Sequence, residues 1–171
     1  MVLQGGHGHP TTLNGKVLPS IAASGSLPLK LSRALVSGAG LTQGHGAYAA
    51  AAVELVNSCR TASFTLNAYT YGLVALGAVE VAAEAPDAEA YDICAVIPVI
   101  EAAGGCVVHS GHFASADTTA TAGAPFVQID LSDPKRKYSS IVCAGRADEP
   151  LCAAAVAIMS PRQQRGASAS L

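Results

Sequence analysis

The sequence has no tryptophan, only three phenylalanines and 5% aromatic residues, although half of it is hydrophobic. Large rings therefore cannot build its core. Alanine carries much of the apolar share, and small side chains give thin, closely spaced layers. Charge is also scarce: 13% of residues are charged, about half the usual share of roughly 25%. A chain this apolar is not disordered by composition, and its low surface charge points to a covered face or a partner. No basic stripe exists and the net charge is −2, which excludes an electrostatic footprint for nucleic acid. The one cationic run, Lys135-Arg136-Lys137, reads as a solvated loop beside Pro134. No apolar run approaches the roughly 20 residues that cross a bilayer. Met1-Val2-Leu3-Gln4 has neither the charged nor the apolar region of a signal peptide. No CxxC occurs. Five cysteines (Cys59, Cys94, Cys106, Cys143 and Cys152) stand at irregular spacings among apolar residues, as reduced core thiols in a cytoplasmic protein would.

What remains is enough for one domain. A chain of 171 residues buries roughly 70% of its unfolded surface and needs no disulfide or structural metal. Residues 1–10 are rich in Gly and His and read as unable to pack alone. Asn14-Gly15 between short extended runs is a hairpin signal. Residues 19–31 form a connector. Strands are expected at 33–37, 62–66, 79–84, 106–109 and 139–144. Helices are expected at 47–59, 69–76 (ending at Gly77), 93–103 and 151–159. Asp92 reads as the N-cap of the nearly all-apolar 93–103 helix, closed by Gly104-Gly105, and Asp148 as the cap of the last helix. A helix apolar on most sides is covered on two faces. Residues 110–136 read as a long loop. The alternation predicts an α/β layered sandwich, with residues 32–159 as a three-layer unit and residues 1–30 as its least packed part.

Three constellations carry possible chemistry. Gly38-Ala39-Gly40 with Gly44, between a strand and a helix, has the form of a phosphate-binding turn. The next strand, however, ends in Asn67-Ala68 with no acid, which favours a plain turn. Cys106, His109 and His112 are metal-ligand types, and His7-x-His9 lies in a loose terminus, but positions 106 and 109 of a strand face opposite ways. Glu80 and Glu84 share a strand face, and Asp92 follows after a turn. A hard-cation site that does chemistry needs several converging carboxylates, and the only acid before Glu80 is Glu54.

The stretch 68–105 narrows this further. Ala68-Tyr69-Thr70-Tyr71-Gly72-Leu73-Val74-Ala75, then Gly77 to Glu84, then Tyr91-Asp92-Ile93-Cys94-Ala95-Val96-Ile97-Pro98-Val99-Ile100-Glu101-Ala102-Ala103-Gly104-Gly105, closely resembles the C-terminal half of the inositol monophosphatase family. The Tyr91-Asp92 start and the Gly104-Gly105 ending look most like its histidinol-phosphatase branch. Thr12-Leu13-Asn14-Gly15 resembles the family's mid-chain hairpin, and Ile141 to Ala144 its closing strand. The resemblance implies a Mg²⁺-dependent phosphomonoesterase of α-β-α-β-α layers acting on phosphate monoesters. It implies Asp92 as the last metal ligand, Glu84 as a substrate-hydroxyl contact and Asn67 at a substrate position where the family has Asp. Family members take their other ligands from a Glu-Glu pair and an Asp-Pro-x-Asp-Gly-Thr loop, and neither occurs in these 171 residues. Thr65-Leu66-Asn67 replaces the branch's Gly-Gly-Asp, and Val108-His109 its Thr-Asp pair.

The expectation is therefore a family member resembling the C-terminal half alone. Residues 1–31 would be a hairpin remnant and connector, 32–160 the α/β domain and 161–171 a tail. No catalytic residue is assigned, and Mg²⁺ would bind weakly or not at all. The rival expectation is a non-catalytic interaction module, pairing with a second copy or a full-length relative, with no nucleic-acid or membrane partner.

Overall fold

The computed structural model describes residues 2–21, 30, 35–37, 46–64, 67–83, 88–109, 132–133, 135, 137–138, 140–143 and 150–159. Strands β1 (Leu3–Gly6), β2 (His9–Leu13) and β3 (Lys16–Val17) form an antiparallel sheet. The Asn14-Gly15 signal holds: both residues take positive φ, 49° and 79°, as a type I′ hairpin requires. Asn14 also ties down the residue that precedes the sheet, its Oδ1 accepting from the Val2 amide at 2.9 Å. Residues 3–6, within the stretch expected to be unable to pack alone, form a strand by pairing with β2, because Gly8, with φ of 75°, turns the chain back onto His9–Leu13.

Five further strands make the second sheet: β4 (Leu35–Ser37), β5 (Thr61–Ser63), β6 (Val81–Ala83), β8 (Cys106–His109) and β10 (Ser140–Cys143). Their order is β5-β4-β6-β10-β8, parallel across β5-β4-β6 and antiparallel at β10 and β8. Helix α1 (Gly46–Ser58) joins β4 to β5, and α2 (Asn67–Ala75) joins β5 to β6. These two crossovers run in opposite directions along the sheet, so right-handed connections place their helices on opposite faces.

The two cores follow that division. Tyr48, Ala52 and Leu55 of α1 pack with Val81, Val108 and the Leu151–Met159 face of α5 (Pro150–Met159). Tyr71, Val74 and Ala75 of α2 pack on the other face with Ala82, Val107, Ile93, Ile100 and Ala103. Strand alternation explains the split: Val81 and Ala83 face one core, Ala82 the other.

The expected 93–103 helix is two short ones, α3 (Ala90–Ile93) and α4 (Ile97–Ala102). Pro98 has no N–H to give the Cys94 carbonyl, and its ring would clash there, so one helix cannot run through. Its C-terminal signal does hold. Gly104, at φ 92°, closes α4 with Gly105 N–H on the Ile100 carbonyl and Gly104 N–H on the Glu101 carbonyl, both 2.9 Å, a Schellman pair. Gly77, at φ 70°, ends α2 by the same two bonds, to the Val74 and Leu73 carbonyls.

Helix α4 is covered on two sides, as its apolar sequence implies. Ile100 and Ala103 face the five-stranded sheet. Its other side meets β1 and β2, where Thr11, 1% exposed, donates its hydroxyl to the Val99 carbonyl at 2.8 Å. The approach is close enough that a Cβ on Gly5 would stand 2.7 Å from Thr11 Oγ1 and 3.2 Å from Val99 Cα. The layers thus run helix, sheet, helix, sheet: the described part of residues 32–159 supplies the first three, and the β1–β3 sheet of residues 3–17 adds the fourth. A two-stranded ladder completes the described elements, β7 (Ala88–Glu89) with β9 (Lys137–Tyr138). The glycine turn at 38–45, the Asp148 cap, the loop from 110 to 131 and the 161–171 tail lie outside the described residues.

Candidate functional site

Parallel strands β5, β4 and β6 point their carboxyl ends to one edge of the sheet. Because α1 and α2 leave that edge toward opposite faces, the connections reverse direction between β4 and β5, the usual ligand position in open α/β sheets. Asn67 is the first residue of α2, four positions beyond the end of β5. Ala83, which precedes Glu84, ends β6. Topology therefore brings the chain around both proposed substrate contacts to the same sheet edge. Glu84 itself and the Asn67 side chain lie outside the described residues.

Asp92 is exposed and is not an N-cap. That position belongs to Glu89, in extended backbone with φ −90° and ψ 160°. Asp92 sits three residues on, and its Oδ2 accepts the Glu89 amide at 2.9 Å, the reach-back half of a capping box. Between them Tyr91 is exposed. The Glu89 carboxylate accepts its hydroxyl and repels its charge, and this holds the phenol above its ordinary value, with Asp92 adding repulsion. The result is a small acidic surface cluster on α3, anchored where Glu89 pairs with Lys137 in the β7–β9 ladder.

One hydrogen bond leaves a carboxylate capacity for a cation. A divalent ion needs more: among the described residues no three His, Cys, Asp or Glu side chains group so as to hold a metal. Asp92 alone would leave Mg²⁺ most of its water. The described residues thus do not by themselves fit the cation that the sequence resemblance implies, and no hydrolytic step is derived through it.

The other constellations separate. Cys106 packs toward the α1–α5 core, His7 and His9 are exposed around the β1–β2 turn, and His112 lies outside the described residues. His7 and His9 instead line a 340 Å³ cleft with Pro98 and Glu101. Glu80 lies near Cys59, whose thiol is pushed up from 9.0 to about 11 by burial first and by the Glu80 charge second. Sequence reasoning missed Glu89 as the true cap. The pattern Glu89-x-x-Asp92 was its available signal.

Alternating sheet and helix layers, with crossovers of opposite sense meeting at one sheet edge, define a layered α/β sandwich protein. The model of the inositol monophosphatase family matches residues 1–158, and the chain belongs to that family. None of the curated proteins matches it significantly. Among solved structures it is similar to an inositol monophosphatase from Zymomonas mobilis, at 20% identity and TM-score 0.71, covering 92% of this chain and 52% of the other. An inositol monophosphatase from Anabaena matches at 17% identity and TM-score 0.63, over 92% and 54% of the two chains. An IMPase/NADP phosphatase complexed with Mg²⁺ and phosphate matches at 14% identity and TM-score 0.63, over 94% and 50%. At such identities the likeness is one of fold. The chain spans about half the length of these structures.

Proposed function

We propose that this chain supplies one half of a Mg²⁺-dependent phosphomonoesterase of the histidinol-phosphatase-like branch, corresponding to the family's C-terminal half, and that alone it does not hydrolyse phosphate esters. In this reading residues 32–160 are the α/β domain, 1–31 the hairpin and connector and 161–171 a tail. The observation that carries it is the family match over residues 1–158 by a sequence containing Asp92 but neither the Glu-Glu pair nor the Asp-Pro-x-Asp-Gly-Thr loop. When bound in a complete site, Mg²⁺ activates a water and stabilises the oxygens of the displacement. This chain's part is to offer one carboxylate at Asp92 and the substrate contacts Glu84 and Asn67. Asn in place of an acid at 67 removes a charge that would pair with a cationic substrate group.

The test is phosphate release from histidinol phosphate and an inositol phosphate, with and without Mg²⁺, by chain purified free of host phosphatase. No Mg²⁺-dependent release is expected. Release that disappears in Asp92→Asn would overturn the reading.

A second reading is an interaction module that pairs with another copy or a full-length relative. The exposed rings of Phe64, Tyr69 and Tyr91, each more than half accessible, favour it in a chain with so few aromatics. Light scattering behind size exclusion separates the two: a monodisperse oligomer supports the module, a monomer the isolated half.

A further inference from the structure

The sequence shows five cysteines without a pattern; the fold brings two of them into contact. Cys106 opens β8 and Cys152 lies in the first turn of α5, 46 residues on, and their Sγ atoms stand 3.4 Å apart. Alternation along β8 sets this up. Val107 faces the α2–α4 core, while Cys106 and Val108 face α5. Cys152 is fully buried and Cys106 half-buried, so a small oxidant reaches one sulfur and the other waits beside it.

We propose that Cys106 and Cys152 form a redox-sensitive staple, closed by hydrogen peroxide and opened by a thiol reductant. The Cys106 thiolate attacks one peroxide oxygen, the O–O bond breaks, and the sulfur becomes a sulfenic acid. The hydroxide released takes up the proton that Cys106 lost and becomes water. The Cys152 sulfur then attacks the Cys106 sulfur, the S–O bond breaks, and the hydroxyl leaves as a second water with the Cys152 proton. Two thiols and one peroxide give one disulfide and two waters. The sulfurs need to close by roughly 1.4 Å to reach bonding distance. The bond would tie the helix covering one face of the sheet to an edge strand, and close the loop that runs through β9 and β10.

Cys106 has a second cysteine near it in sequence register: Cys143 is its partner across the β8–β10 ladder. A ladder neighbour and a helix neighbour therefore compete, and the Cys152 contact predicts the helix wins.

The test uses the full chain, folded and reduced, treated with hydrogen peroxide and digested without reductant for peptide mass spectrometry. The expected result is a peptide pair joined through Cys106 and Cys152, lost on adding dithiothreitol, with a melting temperature raised by roughly 5–15 °C in the oxidised form. Cys106→Ser and Cys152→Ala should each abolish both effects, and Cys143→Ser neither. Should either core variant fail to fold, the wild-type peptide map still decides. A Cys106–Cys143 link, an intermolecular link, or Cys106 over-oxidised while Cys152 stays alkylatable after unfolding would each overturn the proposal.

Discussion

Asp92 holds the start of α3 by one hydrogen bond and is also the proposed metal ligand, and the two roles separate at the residue scale. As the acceptor of the Glu89 amide it holds the first turn of α3, and Asn keeps an acceptor oxygen. Asp92→Asn should therefore melt within about 1 °C of wild type, while Asp92→Ala loses roughly 0.5–1 kcal/mol, read by denaturant titration. As a lone carboxylate it should bind Mg²⁺ only at millimolar strength or weaker. Ligand at its dissociation constant stabilises by only about 0.4 kcal/mol, so a few millimolar Mg²⁺ should shift the melting temperature by about 1 °C. A rise of several degrees that Asp92→Asn removes would reveal a complete metal site. Cys59 gives a separate pH signature. Its thiol is raised from 9.0 to about 11 in the folded chain, so folding favours the protonated form. That contribution to stability is whole below pH 9.0 and declines as pH rises from there to about 11. Denaturation midpoints across that interval should fall less steeply in Cys59→Ala. At pH 8 its alkylation should be far slower than that of an unperturbed thiol.

At the scale of elements, the contact of β1 with α4 is the tightest constraint. Gly5 lets the two backbones approach, and Gly5→Ala would push a methyl into Thr11 Oγ1 and the Val99 backbone. The expected loss is about 1–3 kcal/mol. Thr11→Val removes only the hydroxyl bond to Val99, whose carbonyl still accepts the Ala103 amide at 3.1 Å, so the expected loss is smaller, about 1 kcal/mol. Chemical denaturation of both variants ranks close packing against the hydrogen bond. The reverse order would mean that β1 moves aside to admit the methyl.

For the whole molecule, the two cores on opposite faces of the five-stranded sheet make stability cooperative across it. Leu55 is fully buried at the centre of the α1–α5 core, and Leu55→Ala should cost about 2–5 kcal/mol, a large part of what a domain of this size holds. The loss should appear as a lower denaturation midpoint seen equally by tyrosine fluorescence and far-ultraviolet circular dichroism, since Tyr48 and Tyr71 report from opposite faces. Separate transitions would mean that the two faces unfold independently.

Local chemistry was legible in the sequence because it depends on neighbours along the chain. Asn14-Gly15 specifies its turn by accessible φ, and Gly77 and Gly104 end their helices for the same reason. The apolar face of residues 97–103 announces a helix covered twice, and the Asp92 stretch carries the family's mark. Tertiary placement decided the rest. Pro98 made a break where the apolar run read as continuous, and Glu89 took the cap assigned to Asp92. Residues 3–6 became a strand because the hairpin and α4 gave them partners for hydrogen bonds and packing. That Cys106 and Cys152 touch depends on strand alternation and helix docking across 46 residues. No spacing rule along the chain encodes such a distance, because packing of the two faces, not sequence separation, sets it.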